Sequence, residues 1–307
     1  MTKYLVTGGA GFIGSHLCEA LLEQGDEVRV LDDLSTGKRE NLTPGIEFIE
    51  GDVADAAIVQ RAVEGVAGCF HLAAIASVER GIKDWVGTHR ANLTGTITVF
   101  DAIRPSKCPV VYASSAAVYG NATTLPIAEI TPCRPISAYG ADKYGCELHA
   151  RVASYVHDIP AVGLRLFNVY GPRQDPRSPY SGVISIFSER ILHGAPVDVF
   201  GDGLQTRDFI YVADVVVALL AAIRLRPVDA PVFNVCTGRA TSVLDLAHTI
   251  ADVTGTTLEV RHWPPRTGEI RHSTGSQSLS QTALSLPEPV SLRVGLAKVL
   301  DWLRATS

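Results

Sequence analysis

Along the first half of the chain, short apolar runs rich in β-branched residues alternate with segments of helical period. KYLVTG, EVRVLDD, EFIEGDV, GCFHLAA, VVYASS and AVGLRLFNV predict strands, while Ser15 to Glu23, Ala54 to Glu64, Asn92 to Ile103 and Ser137 to His157 predict helices. Strands separated by helical crossovers pair in parallel, and the crossovers cover both faces of the sheet. The pattern therefore predicts an α/β fold with a doubly wound parallel sheet. After Asn168 the texture changes to VYGPRQDPRSPYSG, then a helix over Val183 to Leu192, then FGDGLQTRDFIYVADV. PPRTGEIRHSTGSQS reads as a long polar loop, and Leu292 to Arg304 as a closing amphipathic helix. The expected division is residues 1–170 as one domain, completed by about 205–236, with 171–204 and 237–307 forming a smaller C-terminal lobe.

LVTGGAGFIGSHL places Gly8, Gly11 and Gly14 at a GxxGxxG spacing, after a predicted strand and at the start of a predicted helix. A glycine triplet in isolation is as often a plain turn; this context marks a Rossmann-type dinucleotide site. Glycine lets the backbone turn tightly and approach a pyrophosphate held at the helix N-terminus. Asp32 follows Gly14 by eighteen residues at the end of the second strand, and Asp33 comes next. An acid there bonds ribose hydroxyls, and two acids repel a 2′-phosphate, so NAD is expected rather than NADP. Asp52, with Val53, either contacts the adenine or caps the helix predicted from Ala54.

SAYGADKYG sets Tyr139 and Lys143 four apart on a predicted helix, so both project from one face. A tyrosine is a poor base near neutral pH unless a cation stabilises its phenolate, and Lys143 supplies one. Ser114 and Ser115 end a strand upstream, at the edge where open α/β sheets place ligands. The spacing alone also describes an ordinary amphipathic helix. Its position after the glycine loop and the Ser-Ser pair favours a catalytic constellation.

Composition narrows the function classes. With 46% hydrophobic and 19% charged residues, the 307-residue chain is not disordered. Its net charge of −5 gives no field for a nucleic-acid backbone. The longest apolar run, Val215 to Ile223, is a core helix, less than half of the ~20 residues a membrane span needs. No export signal is visible, so a cytoplasmic location is expected. Six scattered cysteines without a CxxC pair read as reduced thiols, and nine histidines show no HxxxH or HExxH pair, so a metal is not required.

TGGAGFIG, ASSAAVYG, YGADK, RLFNVYGPRQ and TRDFIYVADV together resemble the extended short-chain dehydrogenase/reductase family, and within it the UDP-hexose 4-epimerases, over essentially the whole chain. The resemblance implies Ser115 as the catalytic hydroxyl, Tyr139 as the base and Lys143 as the cofactor-anchoring lysine. It also implies cofactor contacts from Phe12, Ile13, Val53, Leu72, Ala73, Ala74 and Asn92. In that chemistry tightly held NAD takes hydride from sugar C4 while the tyrosine takes the hydroxyl proton. The resulting 4-keto sugar rotates and is reduced on its opposite face. Dehydratases of the family carry Asp-Glu after the catalytic hydroxyl residue, where this chain has Ala116 and Ala117.

The same resemblance assigns the diphosphate to Arg207 and Arg266 with Asn168 nearby, the uracil to Asp198 and Phe200, and a further substrate contact to Val183. Arg173, Arg177 and Arg239 read as solvated loop charges, and an edge strand with a buried Phe is the bland alternative for Asp198 and Phe200. Ser273 falls at a position that gates the C2 substituent, and its small side chain implies room for UDP-GlcNAc and UDP-GalNAc beside UDP-glucose and UDP-galactose. Epimerases of UDP-glucuronate can carry an arginine where this chain has Asp175, which would repel the uronate if it faced the sugar. Another nucleotide-sugar oxidoreductase or a dehydratase remains an alternative, as does a non-catalytic NAD sensor or RNA-binding protein. The family commonly dimerises through two helices, here about Asn92 to Ile103 and Ser137 to His157. Leu148, Val152 and Val156 suit that contact, although burial within the subunit would explain them equally well.

Overall fold

The computed structural model describes residues 1–175, 182–265 and 270–306, and every side chain there except those of Val78 and Glu79. The chain begins with β1 (Lys3–Thr7), α1 (Phe12–Glu23), β2 (Glu27–Asp32), β3 (Glu47–Glu50), α2 (Ala56–Ala62) and β4 (Gly68–His71). Helices α3 (Val78–Lys83) and α4 (Trp85–His89), a π turn over Arg90–Thr94 and α5 (Gly95–Ile103) lead to β5 (Val110–Ser115), α6 (Ala138–His157) and β6 (Ala161–Leu166). Then follow β7 (Asn168–Tyr170), α7 (Val183–Leu192), β8 (Val197–Phe200), β9 (Thr206–Arg207), β10 (Phe209–Tyr211), α8 (Val212–Ala222) and β11 (Val232–Val235). β12 (Thr241–Ser242), α9 (Val243–Thr254), β13 (Val260–Trp263), β14 (His272–Ser273), α10 (Ser278–Ala283) and α11 (Leu292–Thr306) complete it.

Seven parallel strands form the main sheet in the order β3-β2-β1-β4-β5-β6-β11. The strand order reverses between β1 and β4, which opens a crevice at the carboxyl edge. One face packs Val59, Val99, Ile103 and Ala150 from α2, α5 and α6; the other packs Leu17, Leu21, Val215 and Leu219 from α1 and α8. Apolar cover on both faces explains why these strands read as apolar runs. A third core, built from Phe187, Ile191, Leu246, Ile250, Leu296 and Leu300, joins α7, α9 and α11.

Three local expectations are corrected. AVGLRLFNV is two strands broken at Phe167, because the Asn168 N–H leaves the main sheet to donate to the Asp208 carbonyl at 3.0 Å. The polar stretch near the C-terminus contains β14, which pairs in parallel with β9. The helix expected from Ala54 starts at Ala56, capped by Asp55, whose Oδ1 accepts the Ala57 and Ile58 N–H groups at 2.9 and 3.1 Å. On α6, Leu148, Val152, Tyr155 and Val156 are 52%, 51%, 86% and 60% exposed, so burial within the subunit does not account for them. Among the described residues, no helix is long and apolar enough to cross a membrane.

Candidate active site

A cavity of about 480 Å³ follows the crevice, a volume typical of small-ligand sites at ~300–1,000 Å³. Its wall brings together Gly8, Gly11, Phe12, Ile13, Gly14, Asp32, Asp33, Asp52, Val53, Leu72, Ala73 and Ala74 with Ser115, Tyr139, Lys143 and Asn168. Gly8 has φ +71°, and a Cβ there would lie 2.7 Å from the Ala73 nitrogen. A Cβ on Gly14 would meet the Gly8 carbonyl oxygen at 2.2 Å, so α1 seats against the loop only without a side chain. Gly11 caps α1 with no side-chain bond to the first turn, leaving those N–H groups facing the groove. This is the cradle that a pyrophosphate fits.

Asp32 is buried, its Oδ2 accepting the Ala10 N–H and its Oδ1 the Leu34 N–H, each at 2.9 Å. Burial raises its pKa despite these two bonds, which act in the opposite sense. Each oxygen keeps a lone pair for a ribose hydroxyl. The exposed Asp33 turns to Ser35. Asp52, on the groove wall, does not cap a helix: its Oδ1 accepts the Ala54 N–H at 2.8 Å in a turn, and its Oδ2 pairs with Arg90.

Ser115 ends β5, and its Oγ accepts the Ala117 N–H at 3.1 Å, capping a 3-10 turn over Ala116–Tyr119 and leaving the hydroxyl proton to donate. Tyr139 sits in the first turn of α6, on the groove wall. Lys143, one turn on, is buried; its Nζ donates to the Ala113 carbonyl at 2.8 Å and lies 6.0 Å from the Tyr139 ring centroid.

Behind the groove runs a polar chain whose hydrogen-bond directions are fixed. Thr96 donates its single hydroxyl proton to the Asn92 carbonyl at 2.7 Å, so it accepts from His71 Nε2–H at 2.9 Å. His71 Nδ1 therefore accepts from the Thr7 hydroxyl at 2.8 Å, and Thr7 Oγ1 accepts the Ala73 N–H at 3.2 Å. Burial, assisted by the Lys143 charge, pushes the His71 pKa down to about 3, which keeps the ring neutral. Asn92, expected to contact the cofactor, lies fully buried behind the wall, its Oδ1 accepting the Ile75 N–H at 2.7 Å and its Nδ2 donating to the Ile75 carbonyl at 3.2 Å. It shapes the loop after β4.

The residues assigned to the nucleotide sugar lie mostly beyond this wall. Arg207 on β9 is the strand partner of Ser273 on β14, so these two come together, whereas Arg266 lies outside the described residues, as does Arg177. Asp198 is occupied by the Trp263 indole N–H at 3.0 Å and by Arg190 at 2.5 Å, which together hold its pKa below the usual carboxylate range. Phe200 is on the same strand, and Val183 packs onto the third core; neither lines the groove. Arg173 is not a solvated charge, since its Nη2 pairs with Glu19 at 2.9 Å and its Nη1 donates to Ser15 at 3.4 Å. Arg239 is at the surface, paired with Glu288. Asp175 Oδ2 lies 3.3 Å from Lys38 Nζ, toward the loop after β2.

Three residues that the sequence reasoning missed hold the site. Asp208 anchors the loops beside Arg207 and Ser273, with Oδ1 accepting from the Thr237 N–H and hydroxyl at 2.7 Å and Oδ2 from the Gly238 and Gly275 N–H groups at 2.9 and 3.2 Å. Glu147 and Arg165 form a buried pair under β5. The available signal was a charge inside an apolar strand, Arg165 in AVGLRLFNV, and an acid one turn after Lys143.

A glycine cradle at the switch point of a parallel sheet, facing a Ser, Tyr and Lys set, defines a dinucleotide-dependent enzyme of the α/β class. Residues 4–236 match the NAD dependent epimerase/dehydratase family, and the chain belongs to that family. It is 37% identical over 318 residues to a UDP-glucose 4-epimerase of Mycolicibacterium smegmatis, covering 99% of each chain. It superposes with a TM-score of 0.95 and 36% identity on the UDP-glucose 4-epimerase of Thermotoga maritima solved with UDP-glucose, covering 99% of each chain. It also superposes with a TM-score of 0.95 and 33% identity on the UDP-N-acetylglucosamine 4-epimerase of Methanobrevibacter ruminantium in complex with UDP-N-acetylmuramic acid, covering 100% of this chain and 99% of that one.

Proposed function

We propose that the protein is a UDP-hexose 4-epimerase that interconverts UDP-glucose and UDP-galactose and also accepts UDP-GlcNAc and UDP-GalNAc. The observation that carries this is the meeting of Ser115, Tyr139 and Lys143 on the wall of a dinucleotide groove, with Ala116 and Ala117 where an elimination would need an acid and a base. Tyr139 takes the proton of the sugar 4-hydroxyl and later returns it, base and acid in turn. Lys143 stabilises the phenolate between those events. Ser115 donates its free hydroxyl proton to the sugar oxygen. NAD, when bound, supplies the acceptor and donor of the C4 hydride. Gly8, Gly11 and Gly14 would hold its pyrophosphate, Asp32 and Asp33 the adenosine ribose, and Lys143 the nicotinamide ribose.

The diphosphate is assigned to Arg207 and Arg266 with Asn168, and the uracil to the strand carrying Asp198 and Phe200. Ser273, strand partner of Arg207, is the small residue assigned to the position that gates the C2 substituent, which favours acceptance of an N-acetyl group. Residues 1–170, completed by about 205–236, act as the NAD-binding domain, with 171–204 and 237–307 as the sugar lobe. The exposed stripe on α6 supports a homodimer through α5 and α6; the net charge of −5 argues against a nucleic-acid partner, and a cytoplasmic setting is part of the same proposal. UDP-glucuronate is the second reading, kept open by one observation: Asp175 pairs with Lys38, which removes the charge objection to a uronate.

The direct test is Tyr139→Phe, which retains the ring and removes the proton carrier. A kcat for UDP-galactose lower by ~10²–10⁴-fold, with NAD still bound, is expected. Retention of more than about a tenth of the wild-type rate would contradict the assignment.

A further inference from the structure

Arg165 is a charged residue within the apolar strand β6, its side chain 7% exposed, and Glu147 of α6 faces it at 5% exposure. Arg165 Nε donates to Glu147 Oε1 at 2.8 Å and Nη2 to Oε2 at 2.7 Å. A buried ion pair gives little net stability by itself, because desolvating both charges offsets their attraction. Its surroundings indicate another role. Ser114 of β5, the strand neighbour of Arg165, donates its hydroxyl to Glu147 Oε1 at 2.5 Å. Asn234 of β11 is the neighbour on the other side; the Tyr119 hydroxyl donates to Asn234 Oδ1 at 2.6 Å and accepts from Arg165 Nη1 at 2.8 Å. A polar row, Ser114, Arg165 and Asn234, thus crosses three strands near the carboxyl edge, and Glu147 hooks α6 onto it. One turn earlier, Lys143 hooks α6 onto the carbonyl of Ala113. Two successive turns of α6 are therefore stitched to two successive residues of β5. The next residue of β5 is Ser115, and the preceding turn of α6 carries Tyr139.

We propose that Glu147, Arg165 and Ser114 are positioning residues that set the height and rotation of α6 against β5, and with them the placement of Tyr139 and Lys143 relative to Ser115. The inference rests on the epimerase function proposed above. Misplacing reacting groups by about 1 Å can cost ~100-fold in rate, while a nucleotide held elsewhere still binds.

The test is the double variant Glu147→Met with Arg165→Met, which removes both charges together and leaves neither one buried alone. Expected are a Tm within a few degrees of wild type, unchanged NAD content and KM for UDP-galactose, and a kcat lower by at least about tenfold. Ser114→Ala, which keeps the ion pair and decides the matter if the double variant does not fold, should lower kcat in the same sense, by several-fold. In crystal structures of these variants the Lys143–Ala113 contact should lengthen from 2.8 Å. A folded, NAD-loaded double variant with kcat within about twofold of wild type, or a loss carried by KM, overturns the proposal. A wild-type protein that forms no epimer contradicts the proposed function instead. The Lys143–Ala113 distance then decides alone, and an unchanged contact overturns the positioning role.

Discussion

At Gly11 and Gly14 one substitution has two different consequences. An added methyl at Gly14 would stand 2.2 Å from the Gly8 oxygen and 2.7 Å from the Gly9 Cα, both backbone atoms, so Gly14→Ala should cost ~2–3 kcal/mol and lower the Tm of the apoprotein by several degrees. At Gly11 the nearest atom a Cβ would meet is the Gly8 oxygen at 3.2 Å, a tight contact but an ångström longer than at Gly14, so Gly11→Ala should lower the apoprotein Tm less than Gly14→Ala while lowering co-purified NAD at least about tenfold. Thermal melts and NAD content of both variants separate the two roles. His71 contributes in another way. Its folded pKa, about 3, lies below its ordinary value of 6.5, so its contribution to stability is fully present above about 6.5 and is lost progressively as pH falls toward 3. In His71→Gln the slope of Tm against pH should flatten over that interval, and an unchanged slope would show that other groups dominate. Tyr139 and Lys143 were legible in the sequence because their chemistry fixes both residue type and spacing. The partners of Asn92 and Asp52, the backbone of Ile75 and the side chain of Arg90, were not, because they are set by the packing of distant segments.

The elements that carry the site are β5 and α6, and α6 has two working faces. One face presents Tyr139, Lys143 and Glu147 to the sheet edge; the other exposes Leu148, Val152, Tyr155 and Val156. A charge in the exposed stripe leaves the fold intact but is costly in an apolar interface. If the proposed dimer forms, wild type should sediment at twice the chain mass at micromolar concentration, and Val152→Asp should sediment as a monomer with its circular dichroism unchanged. Wild type running only at 32.8 kDa would contradict the dimer. Long elements were readable: the helix expected over Ser137 to His157 is found over Ala138–His157, and that over Val183 to Leu192 is found with the same ends. The two-residue strands β9, β12 and β14 were not, because so short a strand has no period and exists only through its neighbours. AVGLRLFNV failed at Phe167 for a related reason, since no local feature says that Asn168 will pair with β10.

At the scale of the molecule, the parallel sheet and its glycine loop followed from alternation and spacing alone. The third core did not, because it is assembled largely from α7, α9 and α11, which are far apart in sequence. The residues assigned to the nucleotide sugar were reachable only through resemblance, and of them Asn168 lines the groove while Arg207 and Ser273 meet as strand partners. The central claim is that this chain moves a proton and a hydride at one sugar carbon and returns both. It is tested most directly by incubating the purified protein, without added reductant, with UDP-glucose, UDP-GlcNAc and UDP-glucuronate in separate reactions and resolving the products by NMR. C4 epimers from UDP-glucose and UDP-GlcNAc, with no net change in NADH absorbance, are the predicted result. No epimer from any of the three, or NADH accumulating in proportion to substrate consumed, would contradict it.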